Sequence, residues 1–481
     1  MLGSICVRHS AAIVVLVVCC ACVRAETLSF AAPVKYQVPT PVGVGVSDLN
    51  GDGRPDIAVV NNSGSSVSIL LNSGMGTFGP AGVFPTAGNP SRVVLADFNR
   101  DGLADLATSH NSNPGLVSVL TNTGNSLSAP SIFAAGKNAW GFASADFNKD
   151  GRDDLVVSNN DFPSNALQIL LNTSTSAGIS FQGPTGFGTQ AYNTELAVGD
   201  LNNDGIPDAV VANPSGGDGQ SSFMVYISRG DGSFYAPVSY AGTRQTLSVV
   251  LGDVNSDGKL DVLVNHYISS GGFFGRPPTV TGRLDVCLNK GDGTFTFSHS
   301  YDLGPVRYMS HVLALGDLRR SGKLDLVYIG ASTISIMQGN GNGTFSAPVL
   351  LSNMTANEVK LADVNQDGNL DLLASDSGNN ALAVFLNNAP PAYPPTIGSV
   401  PPVTLEQESA EGTTYNLGLP KAFDYAGRPL EVISDAPGIF PPGTTVVTFS
   451  AKDAWGKEVT STTSVTVVDT TPPVVTAPGA L

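Results

Sequence analysis

The side chains best placed to do chemistry in this sequence belong to a nine-residue motif, D-x-N-x-D-G-x-x-D, which occurs intact six times. Positions 1, 3 and 5 place short oxygen-bearing side chains inside a tight turn, and glycine at position 6 permits the sharp reversal. The main-chain carbonyl of position 7 then faces inward, and the aspartate at position 9 closes the set. Hard oxygen ligands of this kind suit calcium. The predicted metal ligands at positions 1, 3, 5, 7 and 9 are Asp48, Asn50, Asp52, Arg54, Asp56, Asp97, Asn99, Asp101, Leu103, Asp105, Asp146, Asn148, Asp150, Arg152, Asp154, Asp200, Asn202, Asp204, Ile206, Asp208, Asp253, Asn255, Asp257, Lys259, Asp261, Asp363, Asn365, Asp367, Asn369 and Asp371.

A seventh, altered copy covers residues 317–325 and has Arg319 and Ser321 at positions 3 and 5. Because it lacks two ligands, we expect it to hold no ion, and the six intact copies predict six structural calcium ions. The alternative is a repeated Asx-rich turn that holds no metal. Calcium is favoured, because three carboxylates crowded into each loop would repel one another without a cation.

The flanks of the motif separate it from an EF-hand loop, which begins with the same spacing. An EF-hand requires a bidentate glutamate at position 12 and a helix on each side. Each motif here instead continues directly into a β-like apolar segment, such as residues 56–61. The loops are therefore predicted to join two strands. Position 12 is occupied by Val59, Thr108, Val157, Val211, Val264, Tyr328 and Ala374.

The loops mark a repeated unit of about 50 residues. After the loop and its second strand, a third strand follows, and several third strands lead into a G-x-G-[TS]-F turn that starts a fourth. Four short strands repeated radially are typical of a β-propeller blade. The motif copies therefore predict an all-β fold, a seven-bladed β-propeller over residues 28–388. The G-x-G-[TS]-F turns cover residues 74–78, 230–234, 291–295 and 341–345.

The two ends of this region predict how the ring closes. The seventh unit stops after its third strand at Asn387 and Asn388, whereas residues 30–33 match the start of a fourth strand. If residues 30–38 pair with the last blade, strand exchange seals the ring and leaves no open sheet edge. An open solenoid is the alternative, and it would not need these complementary ends.

Together, the seven loops and the G-x-G-[TS]-F turns resemble bacterial FG-GAP/VCBS repeat proteins, which are related in plan to the integrin α-chain propeller. The resemblance covers about residues 28–390. It implies a calcium-binding propeller that serves as an adhesion module, as a lectin-like binder or occasionally as an enzyme scaffold. A full Phe-Gly-Gly-Ala-Pro string is absent, and Phe78-Gly79-Pro80 is the nearest sequence to it.

The C-terminal part is predicted to be a second module. Residues 389–395 are proline-rich and indicate a stiff linker. Short alternating strands within residues 396–471 predict a small β-sandwich. This segment resembles a hyalin-repeat (HYR) module of immunoglobulin-like type, without that family's usual cysteines. Because the Pro-Pro-Thr-Ile sequence at its start recurs as Pro-Pro-Val-Val, residues 472–481 are interpreted as the start of a truncated second HYR-like repeat.

The N-terminus is predicted to carry an export signal. Arg8 precedes an uncharged apolar run over residues 11–23, and a V-R-A sequence ends at Ala25. This pattern predicts a signal peptide over residues 1–25, and the run is shorter than the roughly 18 residues that a membrane-spanning helix needs. An uncleaved anchor and a lipid anchor at Cys22 are the alternatives. The mature chain is therefore expected to be secreted or at the cell surface, with no transmembrane segment after signal removal.

The number of cysteines and the net charge limit the possible disulfide bonds and binding partners. The mature chain would keep only Cys287, so it can form no internal disulfide; Cys287 is expected to be a buried apolar residue. Acidic residues outnumber basic ones 40 to 24, and the net charge is −16. Nucleic-acid recognition requires a basic surface, so nucleic acid is excluded as a partner. Calcium binding would account for much of the acidity.

Histidines and one long insert are further candidate binding residues. His110 and His266 occupy the same position in their repeats, where they either bond the next turn as polar strand-end residues or help to ring one mouth of the channel. The insert over residues 266–280 could stack on a sugar or simply pack as a loop. Its aromatic and basic side chains are Tyr267, Phe273, Phe274 and Arg276.

The leading functional hypothesis is a secreted or cell-surface, calcium-binding propeller that acts as a non-catalytic adhesion or binding module. Its partner would be an extracellular protein or glycan. No catalytic residue is predicted, because no nucleophile, acid or base cluster stands apart from the metal loops. A lectin-like carbohydrate binder and the scaffold of a polysaccharide lyase or hydrolase are the alternatives.

Overall fold

The structure is a computed structural model that describes most of the chain after the N-terminal segment. Several sequence predictions lie outside the described residues: the signal peptide, residues 389–394 of the linker, residues 475–481 of the second HYR-like repeat, and three insert side chains, Phe273, Phe274 and Arg276. The described residues are 28–124, 126–160, 167–176, 178–188, 195–212, 221–241, 246–270, 279–306, 313–388, 395–424, 427–453 and 456–474.

Seven four-stranded antiparallel sheets, called blades 1 to 7, follow one another along the first part of the chain. The N-terminal strand is β1 (Val34–Gln37), and a small extra hairpin in blade 1 consists of β5 (Asn72–Gly74) and β6 (Thr77–Phe78). Blade 1 consists of β2 (Pro41–Ser47), β3 (Asp56–Asn61), β4 (Ser66–Leu70) and β7 (Gly82–Pro85), and blade 2 of β8 (Pro90–Ala96), β9 (Asp105–His110), β10 (Leu116–Leu120) and β11 (Ser131–Ala134). Blade 3 consists of β12 (Ala139–Ala145), β13 (Asp154–Asn159), β14 (Leu167–Asn172) and β15 (Phe181–Phe187), and blade 4 of β16 (Leu196–Gly199), β17 (Asp208–Ala212), β18 (Ser221–Tyr226) and β19 (Val238–Ala241).

Blades 5 to 7 continue the same order, and the last of them receives its fourth strand from the N-terminus. Within the described residues the structure contains no helix, so the all-β prediction is confirmed. Blade 5 consists of β20 (Thr246–Gly252), β21 (Asp261–Ser270), β22 (Thr279–Asn289) and β23 (Phe295–Pro305), and blade 6 of β24 (Leu313–Gly316), β25 (Asp325–Ile329), β26 (Ile334–Met337) and β27 (Val349–Ser352). Blade 7 consists of β28 (Ala356–Ala362), β29 (Asp371–Asp376) and β30 (Ala381–Phe385), and β30 pairs with β1.

The first strands of the blades form a closed ring. Each first strand contacts the first strand of the next blade, and β28 of blade 7 contacts β2 of blade 1. This is the geometry of a β-propeller, in which blades stand radially around a central channel. An open solenoid is excluded, because its two end repeats would not touch.

Strand exchange closes the ring at the position that the sequence predicts. Strand β1 pairs antiparallel with β30, with Val34 opposite Val384. Lys35 adds an ion pair of 2.7 Å to the buried carboxylate of Asp376 in the same blade. No disulfide is needed at this junction, because main-chain hydrogen bonds join the two ends of the propeller.

The hydrophobic core is divided among the junctions between blades. Second and third strands such as β3 and β4 are buried along their whole length, because each blade is covered on both faces by its neighbours. The fourth strands, for example β7, lie at the rim and are largely exposed. Each junction holds one apolar cluster; at that between blades 2 and 3, Phe98, Phe142 and Leu155 pack together.

The C-terminal part has two further sheets. One is a three-stranded sheet of β31 (Thr396–Ile397), β33 (Ala422–Phe423) and β34 (Pro429–Leu430). The other has the order β32 (Val403–Glu406), β37 (Glu458–Val468), β36 (Gly443–Lys452) and β35 (Val432–Ser434). Phe440, Phe449 and Val465 are fully buried in this part, so it has a core of its own. Its assignment to the HYR type stays a prediction.

Candidate metal centres

The motif loops connect the first and second strands of each blade, so they lie at the same end of every blade. In loop 1, Asp48 Oδ1 accepts a hydrogen bond from the Gly51 amide (2.7 Å), and Asp48 Oδ2 accepts one from the Gly53 amide (2.7 Å). Asn50 Oδ1 accepts from the Asp52 amide at 3.0 Å. Gly53 has a φ of 81°, a conformation that L side chains rarely adopt. The short polar side chains at positions 1 and 3 therefore curl the loop around themselves.

The same hydrogen bond from the position 6 glycine amide to the position 1 carboxylate recurs in every other loop, including the altered one. These donors are Gly102, Gly151, Gly205, Gly258, Gly322 and Gly368. The repeated geometry shows that the motif residues fold each loop locally, whatever they bind.

The position 9 aspartates are fully buried, and each ties its loop to the third strand of the same blade. In blade 3, Asp154 Oδ2 accepts from the Phe147 amide (3.1 Å), and Oδ1 accepts from the Asn172 amide (2.7 Å). Burial raises the pKa of Asp154 to about 6, and the nearby carboxylates of Asp150 and Asp146 add to the rise. The position 9 side chain is thus a structural anchor in addition to being a predicted metal ligand.

The loop residues fit a calcium ion by their donor chemistry, but they are not arranged as a finished cage. Across the part of the chain that the structure describes, no three His, Cys, Asp or Glu side chains converge on one ion position. In blade 3, for example, both oxygens of the position 9 carboxylate accept hydrogen bonds from main-chain amides. A carboxylate oxygen has a second lone pair available after it accepts one hydrogen bond. Coordination by the predicted ligands stays a prediction.

The altered loop of blade 6 contains a cation of its own. Arg319 Nη2 lies 2.8 Å from Asp325 Oδ1, and Arg319 Nε lies 3.1 Å from Asp325 Oδ2. The arginine side chain is only 13% exposed and the aspartate is fully buried. Arg319 occupies position 3, which in the other loops is a predicted metal ligand. A guanidinium therefore neutralises the position 9 carboxylate in the one loop that lacks two of the predicted metal ligands.

Replacing Arg319 by methionine is expected to lower the free energy of unfolding by about 3 kcal/mol, because the Asp325 carboxylate would remain buried without its partner. Chemical denaturation in excess calcium measures this change. Lys323→Met in the same loop is the control; Lys323 is exposed, and its loss should change stability by less than about 0.5 kcal/mol. Equal effects of the two substitutions would show that the ion pair contributes nothing.

An asparagine at the end of the third strand links neighbouring blades, and this contact is not among the sequence predictions. In blade 2, Asn122 Nδ2 donates to the main-chain carbonyl of Leu49, which is position 2 of the loop in blade 1 (2.7 Å). The amide of the same Asn122 donates to Asp105 Oδ1 (2.8 Å). The corresponding donors in other blades are Asn72 to Val364, Asn172 to Phe98, Asn289 to Leu201 and Asn387 to Leu318.

Where blades 4 and 6 lack this asparagine, a glycine amide of the following turn takes its place. Gly232 donates to the Phe147 carbonyl (3.1 Å), and Gly343 donates to the Val254 carbonyl (2.8 Å). All seven loops are therefore contacted at position 2 by the next blade around the ring. A change of loop shape in one blade would therefore alter a contact with the neighbouring blade. The sequence contains a sign of this contact, because an asparagine recurs 16 to 18 residues after the position 9 aspartate in four blades.

The two histidines are buried and do not ring the channel mouth; His110 is the last residue of β9, and His266 lies within β21. His110 is fully buried; its Nδ1 lies 3.0 Å from the Gly88 carbonyl oxygen and its Nε2 lies 3.1 Å from Thr108 Oγ1. His266 is also fully buried, and its Nδ1 lies 3.5 Å from Asp285 Oδ2. The geometry supports the strand-end role for His110, whereas His266 is a mid-strand residue that contacts the neighbouring strand.

His110 is expected to make the protein less stable in acid. Burial lowers the pKa of its imidazole to about 4, whereas the unfolded chain takes up the proton near pH 6.5. The stability from the neutral ring is therefore present above about pH 6.5 and is lost as the pH falls toward 4, by about 2–3 kcal/mol at pH 4.5. His110→Asn, the residue found at this position in blades 1, 3 and 4, should lack this component.

Urea denaturation at pH 7.5 and pH 4.5 measures the effect in both proteins. The quantity to compare is the loss of unfolding free energy between the two pH values, which should be smaller in the variant. Identical losses would assign the acid sensitivity to other groups.

The central channel is crossed by an ion pair that the sequence did not indicate. Arg92 Nη2 of blade 2 lies 2.9 Å from Glu195 Oε2 of blade 4, and both side chains are largely buried. Glu358 of blade 7 lies close by and accepts from the Val44 amide at 3.3 Å; burial raises its pKa. These charges border a channel cavity of about 420 Å³. The Arg92–Glu195 pair joins blades 2 and 4, and Glu358 of blade 7 bonds the main chain of blade 1.

Cys287 in β22 is buried, and burial raises the pKa of its thiol to about 12.

Comparison with known proteins identifies the repeat. The FG-GAP-like repeat family matches residues 48–108, 146–211, 200–264 and 317–374. All seven motif loops, including the altered one, fall within these segments. No curated protein sequence matches this chain. Among the described residues, no helix is long and apolar enough to cross a membrane.

Three solved structures are similar in fold. The first is an Agrocybe aegerita lectin that recognises non-reducing terminal N-acetylglucosamine, with 18% identity, coverage of 73% of this chain and 87% of that chain, and a TM-score of 0.45. The second is BBS1N in complex with ARL6DN, with 14% identity, coverage of 76% and 98%, and a TM-score of 0.49. The third is Saccharomyces cerevisiae Sqt1, with 10% identity, coverage of 75% and 99%, and a TM-score of 0.46. At these levels the likenesses carry no conclusion about ligands.

Proposed function

We propose that this β-propeller of FG-GAP-like repeats is a secreted or cell-surface binding module that has no catalytic activity and depends on calcium for its folded shape. The observation that carries the calcium part is the contact between Arg319 and Asp325. Where two ligands are missing from the motif, a guanidinium supplies positive charge to the buried carboxylate. In the six intact loops, we infer that a calcium ion supplies it.

The predicted ligands are the side-chain oxygens of positions 1, 3, 5 and 9 and the carbonyl of position 7. A bound ion would neutralise the carboxylates and hold the loop in one shape. Because each loop is hydrogen-bonded at position 2 to the next blade, this local effect would reach the interblade junctions. Calcium would therefore stabilise the ring as a whole.

The binding role is supported by the architecture of the repeats. A closed ring presents all of its motif loops and the G-x-G-[TS]-F turns at one end, held by a rigid scaffold. Such a face is suited to a protein or glycan partner outside the cell. The signal-like residues 1–25 support export, and a HYR-like C-terminal module would be a second adhesion unit.

Binding to immobilised extracellular-matrix proteins and to a glycan array tests the proposal, with the mature full chain assayed in calcium and in EGTA. We expect saturable retention of a defined ligand that is lost in EGTA and regained when calcium is restored. Depolymerisation of a polysaccharide by the purified chain would contradict a non-catalytic role. Retention of the ligand at equal strength in EGTA would contradict the dependence on calcium.

A further inference from the structure

One interblade junction contains a half-open pocket of about 360 Å³. It lies between blades 1 and 2, beside loop 1. Its walls are mainly apolar and include Leu49, Leu71, Phe84 and Leu127. Leu71 is 44% exposed, although it is a large apolar residue next to the core. The junction is therefore incompletely filled.

The other junctions show what is missing. In blade 3, Phe181 packs edge-on against Phe98 and Phe133 of blade 2, with ring centroids 5.6 Å and 5.3 Å apart. In blade 4, Phe234 packs against Phe147 of blade 3 at 5.5 Å. Such aromatic pairs add to the stabilisation that burial alone gives. In both blades, this phenylalanine follows the turn after the third strand and pairs with a residue at or just beyond the end of that strand.

Leu127 occupies this position in blade 2. It pairs with Asn122, as Phe234 pairs with Ser228 and Phe345 pairs with Gly339. Residues 122–127 are one residue shorter than those hairpins, and they lack the second glycine of the G-x-G-[TS]-F turn. The junction between blades 1 and 2 therefore has neither the phenyl ring nor the full turn.

The shortened turn also explains the exposure of Leu71. At other junctions the equivalent leucine lies against the second glycine of the next blade, as Leu171 does against Gly232 and Leu386 does against Gly76. Blade 2 has Gly124 but no second glycine before Ser126 and Leu127, so it offers no such contact. Leu71 consequently becomes an open wall of the pocket.

We propose that this pocket receives an aromatic side chain, phenylalanine or tyrosine, from a protein partner. The occupant is inferred from the chain itself, because a phenyl ring of the following blade fills the equivalent place at neighbouring junctions. The volume is sufficient, since apolar cavities of about 150 Å³ lined by Leu, Ile and Phe bind benzene. The proposal rests on the proposed role as a binding module, whose partner would insert this side chain as an anchor.

Titration of the mature full chain with p-cresol, an analogue of the tyrosine side chain, tests the pocket by calorimetry in calcium. We expect saturable binding of one p-cresol per chain. Leu127→Phe, which places a ring in the pocket, and Leu71→Asp, which makes one wall polar, should each weaken it by about tenfold or more. Leu350→Asp is the matched control; Leu350 is 54% exposed on the outer strand of blade 6, and its substitution should leave p-cresol binding unchanged.

The proposal is overturned if the unaltered chain shows no saturable p-cresol binding, or if both pocket substitutions leave the affinity unchanged. Tighter binding of methyl glucoside than of p-cresol, lost in the same two variants, would assign the pocket to sugars and would also overturn it. This test is separate from the calcium proposal. Pocket binding by a chain whose ligand retention is indifferent to EGTA would leave the pocket assignment intact while contradicting the calcium dependence.

Discussion

Removal of calcium with EGTA is expected to lower the melting temperature of the protein by roughly 20 °C or more. A single site contributes ~2.7 kcal/mol when free calcium is a hundredfold above its dissociation constant, and six intact loops are present. For a large domain, each kcal/mol corresponds to roughly 2 °C of melting temperature. Without the ions, the carboxylates at positions 1, 5 and 9 of each loop repel one another. Circular dichroism during heating measures the shift.

Two controls define this result. Addition of excess calcium after EGTA should restore the original melting curve, and addition of sodium chloride at equal ionic strength should not. Among the described residues Cys287 is the one cysteine, and it is buried and free. A melting curve that is the same with and without EGTA would show that calcium does not stabilise the protein.

Asp154→Ala, a representative position 9 substitution, is expected to be strongly destabilising, costing about 3–5 kcal/mol even without calcium. The Asp154 carboxylate is fully buried and accepts from the amides of Phe147 and Asn172. Truncation would leave both amides buried without partners, at about 1–3 kcal/mol each. Asn172 also donates to the Phe98 carbonyl of blade 2, so the interblade contact would be weakened as well. Urea denaturation in EGTA measures the loss.

Asp150→Ala is the matched control, because it removes a position 5 ligand from the same loop. The Asp150 side chain is 30% exposed and faces Arg152 at 3.3 Å, so without calcium its loss should cost less than about 1 kcal/mol. In calcium, both variants should in addition lose the stabilisation from one site. Equal costs in EGTA would mean that the position 9 carboxylate is only a metal ligand and not an anchor of the fold.

Much of the fold follows from local sequence patterns. The motif fixes each loop through neighbours within five residues, as between Asp48 and Gly53, so its spacing predicts the turn directly. Apolar runs on either side predict the strands. The missing fourth strand of the last repeat and the spare one at the N-terminus predict the pairing of β1 with β30. These features are readable because the interacting residues are close in sequence or repeat at a fixed interval.

What the sequence did not reveal depends on residues that are far apart along the chain. The contact from Asn72 to the Val364 carbonyl spans the closure of the ring, and the Arg92–Glu195 pair joins two blades that are not neighbours. The positions themselves recur, since Asn72 follows the position 9 aspartate as in three other blades, and Arg92 and Glu195 each precede the first aspartate of their motif by five residues. The partner that each side chain contacts is given only by the structure. The loss of ligands in the altered loop was visible, but the role of Arg319 required its distance to Asp325. Similarly, the two main-chain amides that donate hydrogen bonds to Asp154 can be identified only from the structure.

The most direct test of the central claim is the number of calcium ions bound per chain, measured by elemental analysis after gel filtration in trace calcium. The account predicts six ions for the unaltered protein. It predicts seven for the double variant Arg319→Asn with Ser321→Asp, which completes the motif of blade 6. A folded protein that retains no calcium, and gains none in the double variant, would contradict it.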